Sequence, residues 1–111
     1  MRILVCGGRD FSDYQLLSET LNPYISKGLV IIHGGASGAD SFAEHWARDN
    51  ADIIESYPAD WNKYGKRAGY IRNAQMLSEG KPDLVIAFPG GKGTAMMIKL
   101  AEAAKVPVMK V

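Results

Sequence analysis

The chain has a single cysteine, Cys6, so no disulfide can form within it. Its two histidines, His33 and His45, have no second histidine, cysteine or carboxylate at ligand spacing, so no metal site is expected. It lacks a long apolar run and a charged leader before one, so the reading is of a cytoplasmic protein with neither membrane span nor signal peptide. It also lacks a surplus of charge. A formal net charge of +1 gives no broad basic footprint for duplex nucleic acid, and leaves local basic residues to serve local anions. The dinucleotide fingerprint G-x-G-x-x-G is missing too, which withdraws support from a conventional nicotinamide dehydrogenase. There is no internal repeat, linker or low-complexity segment.

What is present is an alternation. At 111 residues the chain is long enough for one core and a shallow cleft, and a single domain over residues 1–111 is expected. Short apolar runs at residues 3–6, 29–32 and 84–88 read as strands buried on both faces. Residues 53–57 and 108–111 read as weaker strands. Between them lie helical patterns. Ser12 and Gln15 have the spacing of a capping box before Tyr14, Leu17 and Leu21, and that helix ends or kinks near Pro23. Ser37 and Asp40 have the same spacing before Phe42, Ala43, Trp46 and Ala47. Two further helices are expected over residues 67–78 and 95–105. Strands alternating with helices along the whole length predict an α/β fold, a parallel sheet of about five strands with helices on both faces.

Three glycine-rich turns follow strands: Gly7-Gly8, Gly34-Gly35-Ala36-Ser37-Gly38, and Pro89-Gly90-Gly91-Lys92-Gly93-Thr94. Ligands of such sheets bind outside the strands' carboxyl ends, so the fold reading itself brings the turns to one edge. A strand turning through glycines into a helix leaves unpaired amides at a positive helix end, which suits phosphate. The plainer reading of any one of them is a tight turn without a ligand.

Other residues carry two readings each. Arg9 could grip phosphate and Asp10 could accept from ribose hydroxyls, or the two could be a surface ion pair of little weight. Asp40 reads first as a helix cap and second as a ligand contact. Arg72 and Asn73 could lie on a solvated helical face, but Arg72 shares its face with Ala68 and Met76, and a basic group on such a face wants an anion. Trp61 and Tyr64, in a stretch over residues 58–66 that reads as a lid, could stack on a nucleobase; as plain aromatics they read as core plugs. Cys6 reads as a small core residue, and neither Ser12 nor Ser37 has a recognisable base partner.

Taken together, Gly-Gly-Arg-Asp-Phe at 7–11, His-Gly-Gly-Ala-Ser-Gly-Ala-Asp at 33–40, Ala-Asp-Trp at 59–61, Arg-Asn-Ala-Gln-Met at 72–76 and Pro-Gly-Gly-Lys-Gly-Thr at 89–94 resemble the SLOG superfamily, in particular its small cpYpsA-related branch. The resemblance implies a Rossmann-like doubly wound sheet. The chain is also similar to the Lonely Guy (LOG) phosphoribohydrolases, which release a base from nucleoside monophosphates. There, an arginine of an Arg-x-x-x-Met segment and a glutamate three residues after the glycine loop carry the reaction. Arg72 with Met76 matches the first, but Met97 stands where the glutamate would be. A thioether supplies neither an anion nor a base for water.

The resemblance therefore implies binding ahead of hydrolysis. The expected ligand is a nucleotide-derived small molecule: ADP-ribose, a cyclic relative, or a nucleoside monophosphate. Its site would be Gly7, Gly8, Arg9, Asp10, Gly34, Gly35, Ala36, Ser37, Asp40, Arg72, Asn73, Pro89, Gly90, Gly91, Lys92, Gly93 and Thr94, with no cofactor. A nucleotide N-glycosidase using Arg72 and an aspartate is the alternative, and single-strand DNA binding, as in the DprA relatives, is a third reading that the balanced charge disfavours. A homodimer is expected through an apolar helical face with Met96, Met97, Leu100 and Ala104.

Overall fold

A computed structural model describes all residues, 1–111. Five strands, β1 (Arg2–Cys6), β2 (Val30–His33), β3 (Ile53–Ser56), β4 (Leu84–Ala87) and β5 (Val108–Lys110), form one parallel sheet in the order β3-β2-β1-β4-β5. β1 lies at the centre, with Leu4 opposite Ile32 on one side and Val85 on the other. Its apolar run has no polar face because helices cover both sides. The edge strands β3 and β5 are only partly covered, and Ile53 is exposed.

The helices are α1 (Tyr14–Leu21), α2 (Ala39–Asn50), the single turn α3 (Trp61–Tyr64), α4 (Ala68–Gly80) and α5 (Lys92–Ala103). One core joins Ile3, Val5, Ile31 and Ile86 to Leu17 and Leu21 of α1 and Ala43, Trp46 and Ala47 of α2. The other joins Leu4, Ile32 and Val85 to Met76 of α4 and Met97 and Ala101 of α5. Alternate residues of each strand thus serve opposite layers, the doubly wound arrangement. Each fully buried leucine or isoleucine contributes about 1.5–3 kcal/mol. The order reverses between β1 and β4, which places the crevice of such a sheet at their carboxyl ends. No helix is long and apolar enough to cross a membrane.

Several local expectations are corrected. The first helix is capped by Asp13, whose Oδ1 accepts from Leu16 N at 3.0 Å, and not by a Ser12–Gln15 box. α2 starts at Gly38 with no side-chain cap, so Ser37 and Asp40 do not form one either. In α4 the face that Arg72 shares with Ala68 and Met76 is indeed the buried one at both of those residues, and Asn73 and Gly80 are buried as well. The lid stretch contains α3, capped by Asp60 through Lys63 N, and a 3-10 turn at Gly65–Arg67. Of the helical face expected to pair two copies, Met97 is 1% exposed within the chain's own core and Ala104 lies beyond the end of α5.

Candidate functional site

The first and last glycine turns pack main chain against main chain. Gly8 N donates to Pro89 O at 2.9 Å, and a Cβ on Gly8 would stand 2.9 Å from that same oxygen. A Cβ on Gly90 would overlap Thr94 Oγ1 and lie 2.6 Å from Gly8 N. The second turn docks on the first through Ala39 N, which donates to Gly8 O at 3.2 Å. Gly38 makes that approach possible, since it has φ +73° and its missing Cβ would overlap Gly8 O. Phe11 anchors the assembly, its ring 5.2 Å from that of Phe88 and 6.3 Å from that of Phe42.

A cavity of about 760 Å³ opens between these turns and α4. One wall is the start of α5, which has Gly91 at the cap position, no side-chain cap and no acidic residue in its first turn. The amides that open a helix have no partner within it. Cβ atoms on Gly91 or Gly93 would meet nothing within 4 Å, so packing within the protein does not explain these glycines, whereas it does explain Gly90. Thr94 is buried beside them.

Arg72 faces this wall from α4. Its Nη1 donates to Gly34 O at 2.5 Å and its Nε to Asn73 Oδ1 at 2.9 Å, while Asn73 Nδ2 reaches Gly93 O at 3.4 Å. No carboxylate forms an ion pair with Arg72 or with Arg9. Burial pushes the Arg72 guanidinium below its usual pKa; Asp40 opposes that shift and Arg9 adds to it. Neither guanidinium has a carboxylate within ion-pair distance, although the Asp40 charge reaches Arg72, and a guanidinium so placed can take an anion.

Asp40 is 7% exposed, and its Oδ2 accepts from Gly34 N and Ala36 N at 3.2 Å each. It therefore ties down the turn that precedes α2. Burial raises its pKa above the ordinary carboxylate value, against the Ala36 amide, the nearby His33 and Arg72, and the Gly34 amide. The buried His33 braces the same turn, accepting from Gly35 N on Nδ1 at 3.0 Å, so that Nε2 carries the proton toward Glu44 Oε1 at 2.7 Å.

The structure brings Gly7, Gly8, Arg9, Asp10, Ala36, Asp40, Arg72, Asn73 and residues 89–94 around the main cavity. Gly34, Gly35 and Ser37 line an adjoining cavity of about 250 Å³ that shares Arg9, Ala36, Trp61 and Arg72 with it. The Arg9–Asp10 ion pair offered as the plainer reading is not formed. Trp61 and Tyr64 are not core plugs: both are exposed, and Trp61 lines both cavities. Lys66, Gly69, Tyr70 and Met96 also line the main cavity and were not among the expected site residues. The only signal for Tyr70 was its helical spacing, three residues before Asn73. No cluster of histidine, cysteine or carboxylate side chains could hold a metal ion.

The sequence pattern of the YspA, cpYpsA-related SLOG family, YAcAr, matches residues 1–64. The chain belongs to the YAcAr family. Among curated relatives, the Gene 61 protein of Mycobacterium phage D29 is 37% identical over 121 residues, covering 97% of this YAcAr chain and 94% of the phage protein. Among solved structures, the X-ray structure of TM1055, Northeast Structural Genomics Consortium target VT76, superposes with a TM-score of 0.63 at 21% identity, covering 97% of this chain and 72% of that one. That likeness supports the Rossmann-like fold. Membership of YAcAr places the chain in the SLOG superfamily and names no ligand and no activity.

Proposed function

We propose that this YAcAr protein binds a phosphorylated ribose compound of the ADP-ribose, cyclic ADP-ribose or nucleoside monophosphate type, as a sensor or sequestering protein. The observation that carries this reading is the uncapped start of α5, where Gly91 and Gly93 leave open space in front of free amides and the unpaired Arg72 guanidinium faces them. Oriented amides and a bidentate cation together make an anion site. The buried Met97 in place of a catalytic carboxylate favours holding the ligand over cutting it. Thermal shift against ribose 5-phosphate, AMP, ADP-ribose and unphosphorylated adenosine tests the reading. A ligand at 100 times its Kd adds about 2.7 kcal/mol. The phosphorylated compounds should raise Tm and adenosine should not; an equal rise with adenosine, or none with any of them, overturns it.

A second reading, hydrolysis of the N-glycosidic bond, has one observation in its favour. Asp10 lines the cavity with its carboxylate free of hydrogen bonds and ion pairs, whereas Asp40 is held by the second turn. Release of free adenine from AMP, abolished by both D10N and R72A, would put this reading first.

A further inference from the structure

Besides the phosphate wall, the main cavity has an aromatic lining. Trp61 and Tyr70 line it, and they are 50% and 51% exposed. The chain's other tryptophan shows what a structural indole looks like in this fold: Trp46 is 1% exposed and its Nε1 donates to Asn22 Oδ1 at 3.0 Å. Trp61 has neither that cover nor any hydrogen bond from its indole N–H within the chain. It is nonetheless held in place, as the first residue of α3, whose start is fixed by the Asp60 cap. Against its ring lies the Arg9 guanidinium, with its carbon 5.7 Å from the centroid.

An aromatic ring presented on a capped turn, faced by a cation and placed in the same cavity as an anion site, has the composition of a stacking platform for a flat ring joined to a phosphate. The cavity volume is within the roughly 300–1,000 Å³ that small-ligand sites take. We infer that Trp61, with Tyr70 beside it, stacks on the base of a nucleotide whose phosphate lies at the start of α5. The inference rests on the phosphate reading above and deepens it, by naming the side chains that hold the base. Stacking reads the π-face that every base has, so the platform selects for a base without selecting strongly among bases.

The test compares AMP with ribose 5-phosphate, which lacks only the base, by calorimetric titration of the wild type, W61A and W61F. Emission is followed as well, because Trp61 is the exposed indole. Stacking on one aromatic side chain is worth about tenfold or more in affinity. AMP should bind the wild type at least about tenfold more tightly than ribose 5-phosphate and quench its emission. W61A should lose that advantage while keeping the affinity for ribose 5-phosphate, and W61F should retain most of it. Equal affinities in the wild type, or an AMP advantage that survives W61A, overturn the platform and leave the phosphate site standing. Binding of neither compound overturns both.

Discussion

Arg72 and Gly34, thirty-eight positions apart, are joined by a 2.5 Å hydrogen bond that passes through the space a Cβ on Gly34 would take. The glycine is therefore the seat of the guanidinium. Gly34→Ala would meet only the far end of a flexible side chain, so the protein can adapt by moving Arg72. We expect G34A to cost up to about 1.5–3 kcal/mol of stability, the worth of the charge-assisted hydrogen bond it displaces, and to weaken ribose 5-phosphate binding by about tenfold or more, because the guanidinium loses its seat beside the anion. R72A should weaken binding at least as much, and R72K should rescue it only in part, since a lysine lacks the fork. Calorimetric titration alongside urea unfolding checks both; an R72A protein that binds normally removes Arg72 from the site.

The glycines of the last turn separate into two kinds. Gly90 is boxed in by Thr94 and the Gly8 main chain, which cannot yield cheaply, so G90A should cost about 1–3 kcal/mol of stability as an overpacking change does. Gly93 lies in the first turn of α5 with open space around its missing Cβ. Alanine there should raise stability by up to about 0.5–1 kcal/mol, as alanine does over glycine in a helix. If ligand phosphate fills that space, the same G93A protein binds it more weakly. Tm rising while affinity falls is the result expected; Tm and affinity rising together would mean the space is not used.

The order of strands and helices was legible because a parallel sheet covered on both faces leaves uninterrupted apolar runs such as residues 84–88, and helices between them keep a four-residue rhythm. The glycine turns were legible for a related reason, since their place at strand ends follows from the fold. Caps were less so. Ser12 and Asp13 both suit a helix start, and one residue of difference in the chain's path decides that Asp13 takes Leu16 N. At Ser37 and Asp40 the sharp turn at Gly38 sends the Asp40 carboxylate back to the amides of Gly34 and Ala36. Trp61 is a matter of tertiary placement: nothing in residues 58–66 says whether one short helical turn presents its indole to the core or to a cavity.

Asp40 makes stability depend on pH in a direction opposite to that of most carboxylates. Burial raises its pKa in the folded protein above the roughly 3.9 of an unfolded aspartate. Between those two values the folded state holds more protons than the unfolded one, so this group's contribution grows as pH falls through the window, and its cost is fully present above the folded value. D40N removes the titration and keeps one acceptor oxygen. Urea unfolding of both proteins at pH 7, 5.5 and 4 should show the stability of the wild type improving relative to D40N on acidification. A constant difference, or one that moves the other way, would mean that Asp40 is solvated or neutralised in the folded chain.

Cys6 ends β1 at the edge of the same cavity, and burial, with Asp40 adding, pushes its thiol up to about 12. The reactive form is the thiolate, so at pH 8 the folded protein should present about a thousandfold less of it than an unfolded chain does. Alkylation by iodoacetamide, followed by mass spectrometry, should therefore be slow in the native state and fast in urea. Because the folded value is the higher one, the thiol's contribution to stability is complete below the unfolded value of 9.0 and is lost as pH rises from there toward the folded value. C6S keeps the size and removes the titration, so it should lose less stability than the wild type between pH 8 and pH 10. If native alkylation runs as fast as that in urea, the end of β1 is open to solvent, and the buried side of the cavity is not as dry as the packing of Leu4, Met76 and Met97 implies.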